Sequence, residues 1–258
     1  MWVRFVVNVL EFPLLIFAIS LLFLYLSVRL GAFLRNRFHP LEQGERDDFS
    51  IILAAALTLL GLLIGFTFSM ANSRYDLRKH CEAVEANAIG TEYSRVGLLS
   101  EPDAVKLRAL LKEYTGLRIR HYYAAGRAEN ARIAADVARA QNQLWSSVQA
   151  SANSRPAPVM ALVLSGMNEV IDSQGFTQAA WWNRIPAEAW VLMGLIAVIC
   201  SVLLGYGATR NRIVLLVVLP LAVSIAFALI ADIDSPRGGA IRIHPQNLES
   251  VAQSFQQQ

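Results

Sequence analysis

Lysine is nearly missing from this chain. It occurs three times in 258 residues, against 20 arginines, and the net charge is only +3. No basic block with interleaved aromatics exists, so a nucleic-acid partner is excluded as the main function. Cysteine is scarce too. Cys81 and Cys200 stand far apart with no C-x-x-C spacing, which argues against a disulfide framework and a structural zinc site. There is no G-x-S-x-G elbow, no P-loop and no G-x-G-x-x-G. Alternating strand patterns and hairpin turns are also missing, leaving helix as the regular structure.

What is abundant is apolar sequence. Hydrophobic residues make up 55% of the chain and the mean hydropathy is +0.40. The excess sits in a few long runs, the pattern of a membrane protein. One run, residues 50 to 70, can cross a bilayer and continues with no Pro into the polar stretch ANSRYDLRKHCEAVEANAIGTEYSRVGLL. A single long helix that leaves the membrane and enters a water-facing domain is the simplest reading.

The first span is expected within residues 1 to 30. Its uncharged core runs from Phe12 to Val28, and Trp2, Arg4, Asn8 and Glu11 lie upstream. No small-residue cleavage site follows, so a retained span is expected rather than a removed leader. Residues 29 to 48, with Gly31, Pro40 and Gly44, read as a polar connection. In the second span Gly61 and Gly65 form a G-x-x-x-G pair that permits close helix approach. Residues 72 to 187 read as helical throughout. Ser100-Glu101-Pro102-Asp103 is a helix start with cap, early Pro and acids at the positive end of the dipole. Gly126 should break that helix. Further helices are expected over 127 to 153 and 159 to 173, separated by the Arg155–Pro158 turn. Trp181 and Trp182 fit an interfacial belt before a third span at 189 to 207. Arg210 and Arg212 lie in a tight connection, and a fourth span follows at 213 to 231 with Pro220 inside. The expected domains are thus 1–71, 72–187, 188–231 and a tail, 232–258. Basic residues are balanced between the two sides, so the positive-inside rule does not orient the spans.

Few residues suggest chemistry. His80, Glu82 and Glu85 fall within a turn and a half, but in an order unlike a di-metal bundle, and read best as a solvated face paired with Arg78 and Lys79. Leu164-Ser165-Gly166 sits in an amphipathic helix and does not support a nucleophile. No enzyme activity, cofactor or metal is expected. The spans contain no ionisable residue, unlike proton-coupled transporters. A passive pathway needs none, because an apolar constriction can gate by dewetting. Leu62, Phe66 and Met70 share one helix face, and Phe68 neighbours it. These faces suit a pore axis, packing between helices, or lipid.

At Asn72-Ser73-Arg74-Tyr75-Asp76, after GFTFSM, the chain resembles the end of the second span of bestrophins. The stretches EANAIGTEY (85–93), LRALLKEY (107–114) and DIDSPRGG (232–239) resemble a bacterial family described as bestrophin-like. The resemblance covers most of the chain. It implies an all-α membrane protein with four transmembrane helices in two hairpins and a helical cytosolic insert between the second and third. It also implies a pentamer in the bacterial inner membrane, with termini and insert cytoplasmic, and a passive pore for small inorganic ions on the symmetry axis. Leu62, Phe66, Phe68 and Met70 are then the candidate constriction, with Asn72 and Asp76 at its inner mouth. The competing reading is a membrane-anchored scaffold without a pore.

Overall fold

The structure is a computed structural model that describes residues 12–38, 43–124, 126–154, 157–208 and 213–257. Among these residues the regular structure is helical: α1 Pro13–Arg37, α2 Gln43–Arg95, α3 Glu101–Tyr123, α4 Arg127–Ser154, α5 Pro158–Trp182, α6 Ala187–Gly207, α7 Ile213–Asp234 and α8 Gln246–Ser254. A 3-10 turn, Val96–Leu98, follows α2. Four helical stretches are long and apolar enough to span a bilayer. They lie in α1, in the first half of α2, in α6 and in α7.

The described residues up to Tyr75, with Arg184–Arg242, form one compact unit. Its helices are apolar on nearly every face, as lipid-exposed helices must be. Leu22, Phe23 and Phe33 on α1 and Val191 on α6 point outward. Inward, Leu24, Leu60, Met193, Ala197, Cys200, Val223 and Phe227 make one core, drawn from all four apolar helices. Ala71, Ile185, Ile230 and Ile233 make a second.

A close helix crossing in this unit is made by small residues on α1 and α6. A Cβ added at Gly31 would stand 2.0 Å from the Val202 carbonyl oxygen, and one at Gly205 would stand 2.0 Å from that of Val28. Ser27 and Ser201, four residues before each glycine, are buried. This small-x-x-x-small pairing brings two backbones into contact. Gly31 therefore belongs to a packed helix and not to the expected connection, because α1 runs on to Arg37. Gly61 and Gly65, by contrast, have nothing within 4 Å of an added Cβ. Trp2, Arg4, Asn8, Glu11, Pro40, Arg155, Pro156, Arg210 and Arg212 lie outside the described residues.

The motif after α7 closes on itself. Both oxygens of Asp232 accept backbone N–H groups, from Ala240 at 2.7 Å and Ile241 at 3.2 Å. Asp234 accepts the Ile185 N–H at 3.2 Å, and Ser235 Oγ accepts that of Gly238 at 2.9 Å. Gly239 has to be glycine, since a Cβ there would overlap the Asp232 carboxylate.

Asp76–Asn183 and the chain from Ile243 onward form the second unit. Here α3 packs on α4 and α8, and α4 on α5. The Ser100 start behaves as its residues dictate: α3 begins at Glu101 with Pro in its first turn. The Ser100 hydroxyl, however, donates to Asp103 Oδ2 at 2.9 Å and does not cap the backbone. Gly126, at φ +89°, separates α3 from α4, a conformation that costs glycine nothing. The expected helix at 159 to 173 runs further, to Trp182.

Candidate functional site

Helix α2 carries the candidate residues, and its two halves present different chemistry. In the first half, Leu60, Thr67 and Ala71 are buried, while Leu62, Phe66, Phe68 and Met70 are exposed within the single chain. Asn72 is exposed on the same helix, and Asp76, just beyond Tyr75, is exposed within the second unit. At about 100° per residue, Leu62, Phe66 and Met70 follow one another within roughly 80° of arc. Phe68 stands about 160° from Phe66, on the flank that also holds Gly61, Gly65 and Asn72. The outward surface therefore has two flanks, one bulky and apolar, the other with small residues. The two phenylalanines do not share a face.

In the second half the inner face is polar. Arg78, Glu82, Glu85, Ile89, Glu92 and Val96 recur at alternating steps of four and three, and each is at most 2% exposed. The expected solvated face of Glu82 and Glu85 is thus overturned: these carboxylates are interior. Their partners come from distant sequence. The Arg118 guanidinium donates to both Glu85 oxygens, through Nε and, at 3.1 Å, through Nη2. The Thr177 hydroxyl donates to the same carboxylate at 2.8 Å. Arg78 donates to the carbonyl oxygens of Ala180 and Asn183, each at 3.2 Å. Burial and the Glu85 charge push the Tyr114 and Tyr122 phenols well up, so both stay neutral. The Glu85 charge likewise raises Arg118 despite its burial, so the cation persists.

Glu82 caps α8. It accepts the backbone N–H groups of Asn247 at 3.0 Å and Leu248 at 2.9 Å, and the Asn247 amide at 2.6 Å. A carboxylate at this helix end satisfies orphan donors and meets the positive end of the dipole. Tyr93 stacks on Phe255 with centroids 3.9 Å apart, and Gly90 lies against Val251. Glu82→Ala should therefore release α8, at about 1–2 kcal/mol for the lost cap. Faster backbone hydrogen exchange over residues 246–254, with α3 unchanged, is the expected readout. Equal exchange in variant and wild type would mean that the aromatic stack alone holds the helix.

The motif EANAIGTEY is explained position by position. Glu85, Ala86, Ala88, Ile89, Glu92 and Tyr93 face inward, and Gly90 admits Val251. In LRALLKEY, Leu107, Leu111 and Tyr114 are fully buried. Arg108 and Lys112 lie 5.1 and 5.7 Å from the Tyr93 ring centroid. His80 is exposed, apart from the buried glutamates. Among the described residues no group of three His, Cys, Asp or Glu is arranged to hold a metal ion. Ser165 is exposed, while Gly166 is buried against Glu92.

Four apolar helices and a helical unit with a charged, hydrogen-bonded interior define a class: an all-α membrane protein. The family model for the bestrophin-like domain matches residues 21–248, and the chain belongs to the bestrophin-like family. No curated protein matches it. Solved structures do. A bacterial bestrophin homologue from Klebsiella pneumoniae, phased with zinc, is 12% identical with a TM-score of 0.64, over 93% of this chain and 97% of that one. A point variant of it is 11% identical with a TM-score of 0.63, over 95% and 98%. At such identity the likeness is one of fold.

Proposed function

We propose that the chain assembles into a ring of copies around a passive pathway for small inorganic ions. In this reading the Leu62, Phe66 and Met70 flank of α2 faces the axis as an apolar constriction. The Gly61 and Gly65 flank, with Phe68, lies against the next copy. Asn72 and Asp76 stand at the inner mouth. The four spans form two hairpins, α1 with α2 and α6 with α7. Residues 72–187 are the cytosolic insert, with the termini on the same side of a bacterial inner membrane.

One observation carries the reading. The first half of α2 packs one face into its own bundle and leaves the opposite, apolar face without a partner among the described residues. In a ring that face has an axis to surround and a neighbour to touch. The positive edges of phenylalanine rings favour anions over cations at such a constriction.

The mass of the detergent-solubilised complex, corrected for bound detergent, is the first test. A pentamer with ion flux in liposomes is the expected result, and reversal potentials in asymmetric chloride then report selectivity. A monomer or dimer that persists in mild detergents would overturn the pore and leave a membrane-anchored scaffold.

A further inference from the structure

Three acids lie on the inner stripe of α2, and one of them is treated differently. Glu82 and Glu85 have their oxygens engaged by donors. Glu92 is as deeply buried, yet among the described residues neither of its oxygens has a hydrogen-bond partner. Its carboxyl lies in a notch in α5. A Cβ added at Gly166 would stand 1.9 Å from Glu92 Oε2 and 2.5 Å from the Arg95 guanidinium. Only glycine leaves that space open.

The charges around it do not neutralise an anion there. Arg95, on the same helix, is 4.0 Å away and partly solvated, and it also reaches Glu169 on α5 at 3.6 Å. One arginine thus serves two carboxylates. From α3 the basic groups Arg108 and Lys112 lie over the Tyr93 ring. From the chain after residue 243, uncharged Val251 and Phe255 meet Gly90 and Tyr93. An ionised carboxylate in this position would be buried without a donor, which is strongly unfavourable, whereas a neutral carboxyl costs far less.

We propose that Glu92 is a proton-operated latch between α2 and α5. Protonated, it seats in the Gly166 notch and the two helices close. When it releases its proton to solvent, the carboxylate turns out of the notch, away from Gly166 and toward water, and the contact loosens. The latch is a property of the helical unit and holds whether or not the chain conducts ions.

Burial first, opposed by Arg95 and reinforced by Glu169, lifts the Glu92 carboxyl from the usual 4.5 to about 8. The sign follows from linkage. Between those values the folded state binds the proton and the unfolded state does not. Stability is therefore full at low pH, falls as pH rises through this window, and levels off above it. This is opposite to a salt-bridged acid.

The test uses the full-length protein in detergent. Infrared difference spectra between about pH 6 and pH 10 should show a protonated carboxyl band that disappears with a midpoint near 8 and is absent in Glu92→Gln. The thermal midpoint of the wild type should fall between about pH 6 and pH 8 and level off above, a component that Glu92→Gln lacks. Glu169→Gln, which removes a like charge, should lower the midpoint of the band. Arg95→Gln, which removes the opposite charge, should raise it. If Glu92→Gln does not fold, the wild-type band and its opposite shifts in these two variants still decide the matter. An ionised Glu92 at pH 6, or a band that neither variant moves, would overturn the latch.

Discussion

Phe66→Ala should raise ion flux through reconstituted protein several-fold, with little change in folding. The side chain is 62% exposed within its own chain, so its removal opens no cavity in the bundle. Exposed substitutions of this kind fall within about 0.5 kcal/mol. The effect on a pathway is larger because every copy in a ring carries the substitution. Each loses an aromatic ring at the same height, and a constriction that gates by dewetting widens and wets. Phe68→Ala is the matching control. It removes an equal side chain from the other flank of the helix, about 160° away. Its expected effect is on the yield of the assembled ring, with unit flux per ring near wild type. Flux measured in liposomes at matched ring content separates the two. Equal flux in Phe66→Ala and wild type would remove that flank from the axis. A rise in Phe68→Ala alone would turn the helix round.

Arg118→Met should destabilise the helical unit by about 3–5 kcal/mol, because it leaves the Glu85 carboxylate buried without its cation. Arg118 donates through two nitrogens to Glu85, and both residues are essentially inaccessible. Thr177 remains as a donor, yet a hydroxyl carries no charge to offset the anion. The second substitution, Glu85→Leu on the same background, should restore most of the loss. A well-packed apolar pair avoids the desolvation of two ions, and such replacements are commonly neutral or better. Chemical denaturation of the single and double variants, followed by tyrosine and tryptophan signals, gives the comparison. A double variant as unstable as the single one would mean that the pair is needed for its geometry and not only for charge balance.

Much of this molecule is legible from residues alone because its signals are local. The apolar runs, the Ser100-Glu101-Pro102-Asp103 start and the Gly126 break each depend on a few neighbours in sequence, and the helices follow them. The long α2, without a proline inside, was equally readable. Two readings went astray, both for want of distant partners. Glu82 and Glu85 look like a wet face beside Arg78 and Lys79. Their partners, Arg118, Thr177 and Asn247, come from other helices. A signal was present nonetheless: the glutamates fall in register with Ile89 and Val96, which a surface stripe would not do. The small residues were the second case. Gly31 reads as part of a polar connection, whereas with Ser27 it meets Ser201 and Gly205 in a close crossing of two helices. Which glycine meets a neighbour depends on which helices are adjacent, and helical period does not reveal that. The face of α2 proposed to meet an axis is hidden for the same reason.

The helical unit is built from two separated pieces of chain, Asp76–Asn183 and the stretch from Ile243 onward. A ribosome makes the first piece, then both α6 and α7, and only afterwards the residues that cap Glu82. Until they arrive, the Glu82 carboxylate lacks its donors, and Tyr93 lacks the ring it stacks on. The unit can therefore finish only after α6 and α7 have been synthesised. A fault in threading those helices into the bilayer would strand a half-built partner, exposed to proteases. The order of synthesis thus turns α8 into a checkpoint on the membrane half of the protein.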